Sequence, residues 1–294
     1  MMPATSPAGQ LRKLLAEPGI RVMPCCYDAL SARLIERAGF ALTFMSGFAV
    51  SAARLALPDT GLISYGEMVA QGREITGAVS IPVIGDGDTG YGNALNVKRT
   101  VRGYARAGFA CVMIEDQLAP KRCGHTRGKA VVSRAEALAR IRAAVDARDA
   151  SRAAGADILL LARTDARAPH GLDEAIARGR AFAELGADVV FVEAPRDEAE
   201  LGRVGREIAA PLMANLVEDG DTPLLPPHRL AALGFKIAAY PLTLLMASLR
   251  AMQDALARLR DGKPVEHRLS FAELRELVGF DAYDREAERY AVEE

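Results

Sequence analysis

Two aspartates, Asp86 and Asp88, close the apolar run Ile81-Pro82-Val83-Ile84-Gly85. Residues two apart on an extended chain point the same way, so the pair aims two carboxylates at one place. Such a pair repels unless a proton or a cation lies between its members. A hard divalent cation with oxygen ligands answers this at neutral pH: Mg2+, its shell completed by waters and a substrate, or Mn2+. The segment Gly85-Asp86-Gly87-Asp88-Thr89-Gly90 also fits a dinucleotide-binding fingerprint, and Asn93 is placed to cap a following helix. Both of its carboxylates would face a pyrophosphate, which argues against that use. A calcium-binding EF-hand loop fails because the twelfth position from Asp86 is Val97 rather than Glu. A solvated acidic turn with no ligand remains the plain alternative.

A second reactive element follows the next apolar run. The stretch Asp116-Gln117-Leu118-Ala119-Pro120-Lys121-Arg122-Cys123-Gly124-His125-Thr126-Arg127-Gly128-Lys129 is long and polar, as a loop covering an active site would be. It is not a phosphate-cradling P-loop, since Cys123 stands at the first glycine and Ala130 at the Ser/Thr position. Lys121, Arg122 and His125 flank Cys123, and positive neighbours make a thiol reactive near neutral pH. A basic surface loop with an incidental cysteine is the alternative. Cys25, Cys26 and Cys111 lie in apolar runs and read as inert core residues.

These residues need a scaffold, and the chain repeats one junction. A helical segment ends in glycine and an apolar strand begins just after it, at Gly39, Gly108, Gly155, Gly186 and Gly234. Strand entries at Pro82 and Pro211 and the opening run Ile20 to Cys26 bring the total to eight strands. They begin near residues 21, 41, 81, 110, 157, 188, 211 and 235. Strand–helix alternation predicts a parallel sheet, and eight units predict a closed (β/α)8 barrel over a doubly wound open sheet. The strand ends read Asp28, Ser46-Gly47, Asp86 and Asp88, Glu115-Asp116, Arg163-Thr164-Asp165, Glu193 and Asn215, which together predict one polar mouth. Residues 1–241 form the expected barrel, and residues 242–294 form C-terminal helices packing on it or on another subunit.

The 294 residues are half apolar and carry a net charge of −1, so no strong field attracts nucleic acid or membrane. The first ten residues contain no apolar signal region, and no run is long enough to span a bilayer. The four cysteines show no zinc-ligand spacing, so a cytoplasmic, thiol-reduced protein is expected.

From about Met23 to Met252 the chain resembles the isocitrate lyase/phosphoenolpyruvate mutase superfamily. The resemblance rests on Gly85-Asp86-Gly87-Asp88-Thr89-Gly90-Tyr91-Gly92-Asn93, on Glu115-Asp116-Gln117 and on Lys121-Arg122-Cys123-Gly124-His125. It extends to Ser46-Gly47, Leu57-Pro58-Asp59, Ala162-Arg163-Thr164-Asp165-Ala166, Val192-Glu193-Ala194-Pro195 and Thr222-Pro223-Leu224. The cysteine loop points to the lyase branch. The resemblance implies Mg2+-dependent retro-Claisen or aldol-type cleavage of a 2-hydroxy dicarboxylate or tricarboxylate. By position, Asp86 and Asp88 would hold the metal, with Asp59 and Glu115 in its outer shell. Ser46, Gly47 and Arg163 would clamp the substrate, with Glu193 and Asn215 nearby. Lys121, Arg122, Gly124 and His125 would shape and close the loop, and Cys123 would protonate the departing enediolate.

Phe44 cannot serve as a base, which leaves the substrate hydroxyl without an assigned proton acceptor. Val217 offers a third carboxylate no donor, and Glu218 would repel one if it faces the cavity, so a substituted malate is expected over a tricarboxylate. Hydrolysis or decarboxylation of oxaloacetate, and a metal-binding scaffold without catalysis, are the competing functions. Leu242, Leu245, Met246, Leu249 and Met252 form an apolar stripe at helical spacing. The resemblance implies that this helix is exchanged between paired subunits of a homotetramer.

Overall fold

The computed structural model describes residues 6–123 and 128–291. Eight parallel strands close a barrel in chain order: β1 (Arg21–Cys26), β2 (Thr43–Met45), β3 (Val83–Asp86), β4 (Cys111–Glu115), β5 (Leu159–Thr164), β6 (Val189–Val192), β7 (Leu212–Asn215) and β8 (Phe235–Tyr240). Arg21 of β1 pairs with Ile237 of β8, which closes the ring and excludes the open sheet. Every strand begins within about two residues of its expected start, inside the usual scatter of element boundaries.

Helices α1 (Pro7–Ala16), α2 (Ala29–Arg37), α3 (Gly47–Leu55), α4 (Tyr65–Ala78), α5 (Ala94–Arg106), α6 (Arg134–Ala153), α7 (Arg167–His170), α8 (Leu172–Glu184), α9 (Glu198–Glu207) and α10 (Pro227–Ala232) alternate with the strands. Three more follow β8: α11 (Thr243–Arg260), α12 (Phe271–Val278) and α13 (Phe280–Glu288). The five junction glycines have φ between 82° and 98°, the left-handed conformation that ends a helix without a Cβ clash. Ser64 and Glu67 form a capping box at α4, and Asn93 caps α5 as expected.

The strand pleat positions the site. Cys111 and Met113, Leu159 and Leu161, and Val189 and Phe191 point inward and pack as one apolar interior with Ile84, Met213 and Ala239. Ala8 and Leu11 of α1 join the same cluster. Val112, Ile114, Leu160, Ala162, Val190 and Val192 belong to the cluster between strands and helices. One further inward step reaches Asp86, Glu115, Arg163, Glu193 and Asn215, so a polar layer caps the apolar ones at the carboxyl ends of the strands.

The chain divides into two compact units, Met1–Leu245 and Met246–Glu294. The second unit leaves Met246, Leu249, Met252, Leu256, Leu259 and Phe271 exposed. Among the described residues, no helix is long and apolar enough to cross a membrane.

Candidate active site

Asp86 ends β3 with its carboxylate held on both sides. Its Oδ2 accepts from the Gly47 N–H at 3.1 Å and its Oδ1 from the Asp88 N–H at 3.1 Å. Tyr104 Oη donates to its backbone carbonyl at 2.5 Å. A Cβ at residue 47 would lie 2.5 Å from Asp86 Oδ2, so only glycine permits this approach. Asp88 has φ 47°, a left-handed conformation that costs a non-glycine residue energy and is found preferentially at functional sites.

Lys121 is the cation of this cluster. It is 6% exposed, its ammonium lies 2.9 Å from Asp88 Oδ1, and it also pairs with Asp59 from the loop after α3. Lys121 therefore sits among the carboxylates of the cavity wall. Burial opposes its charge, but Asp88, Asp59 and Asp86 together hold its pKa above that of an ordinary lysine. Burial pushes Asp86 up to about 6, Asp88 adds to this, and Lys121 opposes it. Burial also raises Asp59 against the pull of Lys121, and raises Glu115 well above the usual range against the pull of Arg163.

The donor set fits a hard cation. Four carboxylates, Asp59, Asp86, Asp88 and Glu115, act on Lys121, and Glu115 Oε1 is buried without a hydrogen-bond partner. Among the described residues, no three acidic, histidine or cysteine side chains converge as a ready-made ligand set.

Arg163, at the end of β5, forms the other half of the mouth. Its Nε and Nη2 lie 2.8 and 3.0 Å from the two Asp165 oxygens. Nη2 is also 2.9 Å from Glu193 Oε2, Nε is 3.4 Å from Glu115 Oε2, and the guanidinium lies 5.1 Å from the Phe191 ring centre. Asn215 Nδ2 donates to Glu193 Oε2 at 3.4 Å. Asp165 receives Lys129 Nζ at 3.2 Å; burial works against its charge, but Arg163 and Lys129 hold its pKa down.

Asp86, Glu115, Lys121 and Arg163 share a cavity of about 650 Å3, measured out to its open mouth, whose lining does not include Asp88 or Asp165. Ser46, Asp59, Glu193 and Asn215 line it, and the half-buried Cys123 and exposed Arg122 stand at the loop side. Phe44, Phe48, Val217, Pro241 and Leu242 add apolar lining. Gly124 and His125 lie outside the described residues. Burial pushes the Cys26 thiol up to about 12 and raises Cys25 and Cys111 well above the ordinary value, as expected of inert core thiols.

Three strand-end acids turn elsewhere. Asp28 caps α2 in a capping box with Ser31. Asp116 has the outward parity of its strand and accepts from Thr164 Oγ1 at 2.7 Å, Arg178 Nη1 at 2.9 Å and the Asp165 N–H at 2.9 Å. Glu218 is not a lining residue of the cavity and accepts from Thr243 Oγ1 at 2.5 Å. Asp165 stands two residues from Arg163, a spacing that places both on one side of an extended chain.

A closed eight-stranded barrel with acids, a buried arginine and a thiol at the carboxyl ends of its strands has the plan of a barrel enzyme. Residues 11–260 match the family model of phosphoenolpyruvate phosphomutase. The chain is 41% identical over 288 residues to 2,3-dimethylmalate lyase of Eubacterium barkeri, covering 97% of this chain and 98% of that protein. It is 40% identical over 287 residues to 2-methylisocitrate lyase of Aeropyrum pernix, covering 96% and 91% of the two chains. Among solved structures, oxaloacetate acetylhydrolase bound to 3,3-difluorooxalacetate matches with a TM-score of 0.92 at 37% identity, over 98% of both chains. Phosphonopyruvate hydrolase bound to oxalate and Mg2+ matches with a TM-score of 0.85 at 32% identity, over 97% and 99%. The chain belongs to the phosphoenolpyruvate mutase/isocitrate lyase superfamily.

Proposed function

We propose that this chain is a carbon–carbon lyase that cleaves a 2-hydroxy dicarboxylate, a substituted malate such as 2,3-dimethylmalate, to a 2-oxo acid and a carboxylate, with Mg2+ or Mn2+ as cofactor. The observation that carries this reading is the mixed lining of one cavity. Acids, Lys121 and Arg163 line it together with the hydrocarbon of Phe48, Val217, Pro241 and Leu242. A dicarboxylate with a small apolar substituent at C3 matches both kinds of lining. The similarity to 2,3-dimethylmalate lyase supports the substrate class, and the Mg2+ in phosphonopyruvate hydrolase supports the cofactor.

Asp86 and Asp88 would hold the cation, with Asp59 and Glu115 beyond them; bound there, it supplies Lewis-acid stabilisation of developing negative charge. The chain's own groups divide the remaining work. Arg163, fixed by Asp165 and Glu193, binds the C1 carboxylate together with Ser46 and the backbone at Gly47. Glu193 and Asn215 fix the edge of that subsite. Lys121 offsets the charge of Asp59 and Asp88, so a dianionic substrate meets less repulsion. The 2-hydroxyl loses its proton, the C2–C3 bond breaks, and C2 becomes a carbonyl carbon. The bonding pair passes to C3 as the enediolate of the departing carboxylate, Cys123 delivers its Sγ proton to C3, and the hydroxyl proton, released to solvent, is balanced by reprotonation of the Cys123 thiolate from solvent. Arg122, Gly124 and His125 are assigned to covering the bound substrate.

One observation favours a second reading. Arg122 lines the cavity, and no ion pair ties it to another described residue. It is the group that could meet the third carboxylate of 2-methylisocitrate. Hydrolysis of oxaloacetate, supported by the match to oxaloacetate acetylhydrolase, requires an attacking water that the lyase reaction does not need. Chelation tests the common core of the proposal. Turnover should vanish on removal of divalent metal and return with Mg2+ or Mn2+, and Asp88→Ala should fold without turnover. Full activity in metal-free protein contradicts the cation role of the aspartates.

A further inference from the structure

We infer that Gln117 is a positioning residue for Cys123, acting through the backbone of Arg122; this rests on the proton-donor role proposed for Cys123. Gln117 lies two residues beyond β4 and is 1% exposed. Its Nε2 donates to the Arg122 carbonyl at 2.8 Å, and its Oε1 accepts from the Arg122 N–H at 2.9 Å. One side-chain amide thus satisfies both main-chain groups of one residue, as a neighbouring strand would. The amide orientation is forced, because the Arg122 N–H must meet an oxygen and its carbonyl must meet a donor.

Gln117 is itself immobilised. Arg140 Nη1 on α6 donates to its carbonyl at 3.1 Å. An antiparallel bridge joins Gln117 to Val131, flanked by the Leu118 N–H on the Ala130 carbonyl at 2.8 Å and the Val132 N–H on the Asp116 carbonyl at 2.9 Å. These main-chain bonds already close the two stems of the loop, so the side-chain bracket is not needed for closure. Its distinct effect is to fix residue 122 to the barrel wall, directly before Cys123. A proton donor must be held within hydrogen-bond reach of the carbon it serves, and a displacement of about 1 Å can cost roughly 100-fold in rate. Burying an amide with both ends satisfied achieves this without adding a charge beside the thiol.

Gln117→Leu removes both hydrogen bonds at similar volume, and Gln117→Glu keeps the acceptor while losing the donor. Three quantities are measured on each: kcat, KM, and the rate at which iodoacetamide alkylates Cys123 in the absence of substrate and metal. In Gln117→Leu, kcat should fall by about tenfold or more with KM within about threefold, and Cys123 alkylation should change by at least about threefold. Gln117→Glu, which sets a carboxylate oxygen against the Arg122 carbonyl, should shift the same quantities in the same direction, and it decides the matter alone if Gln117→Leu does not fold. A folded variant with unchanged alkylation overturns the inference, whether kcat falls or not, and so does unchanged kcat. Cys123→Ser is measured in parallel. If it keeps full activity, the proton-donor role fails, while altered alkylation in Gln117→Leu still establishes the bracket.

Discussion

Replacing Asp165 by asparagine should damage both the stability and the substrate clamp of this protein. Asp165 is fully buried and carries three charged contacts: 2.8 and 3.0 Å from Arg163 and 3.2 Å from Lys129. Asparagine keeps the shape, but it presents an amide N–H2 to cations that only donate. Removing one partner of a buried pair costs about 3–5 kcal/mol, because the remaining charge is left uncompensated. Two features reduce that figure here. Arg163 retains Glu193 at 2.9 Å and Glu115 at 3.4 Å, and the repulsion between Asp165 and buried Asp116 is relieved. A net loss of about 2–3 kcal/mol follows, equivalent to a fall of roughly 4–12 °C in Tm for a domain of this size. With its bidentate partner gone, the guanidinium is held only by Glu193 and Glu115 and loses the orientation that presents it to the substrate carboxylate. KM for the dicarboxylate should therefore rise more than kcat falls. Thermal melts read by circular dichroism, with steady-state kinetics well below Tm, measure both effects. A variant melting within about 1 °C of the native protein with unchanged kcat/KM would refute the positioning of Arg163 by Asp165.

Cys123→Ser should lose roughly 10²- to 10⁴-fold in kcat with little change in KM, as for a removed acid–base group. Mass mapping after limited alkylation should find Cys123 modified first. Preferential labelling of Cys25 or Cys26 with activity retained would contradict this, because burial holds those thiols protonated. The acid limb of stability should involve Glu174, whose pKa is lowered to about 2 by hydrogen bonds from Arg134 and Arg178. Its folded pKa lies below its unfolded value, so its contribution is complete above the ordinary glutamate range and is lost as pH falls towards about 2. The stability gap between native protein and Glu174→Gln, read by denaturant titration, should be widest near neutrality and shrink below about pH 5. A gap that widens with acid would reverse the sign of that linkage.

The barrel is legible because its strands are short apolar runs entered through glycine or proline, a pattern set by local backbone chemistry. Much of the polar mouth is legible for the same reason, since strand parity carries Met113 to Glu115, Leu161 to Arg163 and Phe191 to Glu193. Parity also holds just past a strand: Asp116 and Glu218 follow Glu115 and Val217, and both turn to partners outside the cavity. Which cation meets which carboxylate depends on loops that meet only after folding. Asp59 and Lys121 are 62 residues apart and pair inside the cluster. Gln117 and Arg122 illustrate the same limit, because a side chain that mimics a strand partner leaves no periodic trace. Helix α13 escapes notice because Gly279 separates it from α12 after a single residue and none of its side chains is buried.

The central claim is that the cavity combines charged and apolar lining suited to a substituted malate. Its most direct test is kcat/KM for 2,3-dimethylmalate against 2-methylisocitrate, with Mg2+ present and pyruvate release as the common readout. Both substrates give pyruvate when C2–C3 breaks, so one assay compares them without change of detection. Placing a third carboxylate against Phe48, Val217, Pro241 and Leu242 leaves it short of donors, and unpaired buried charge dominates selectivity. The account predicts that 2,3-dimethylmalate is favoured by about tenfold or more. A preference of that size for 2-methylisocitrate would mean that Arg122 receives the third carboxylate, and it would contradict the substituted-malate assignment.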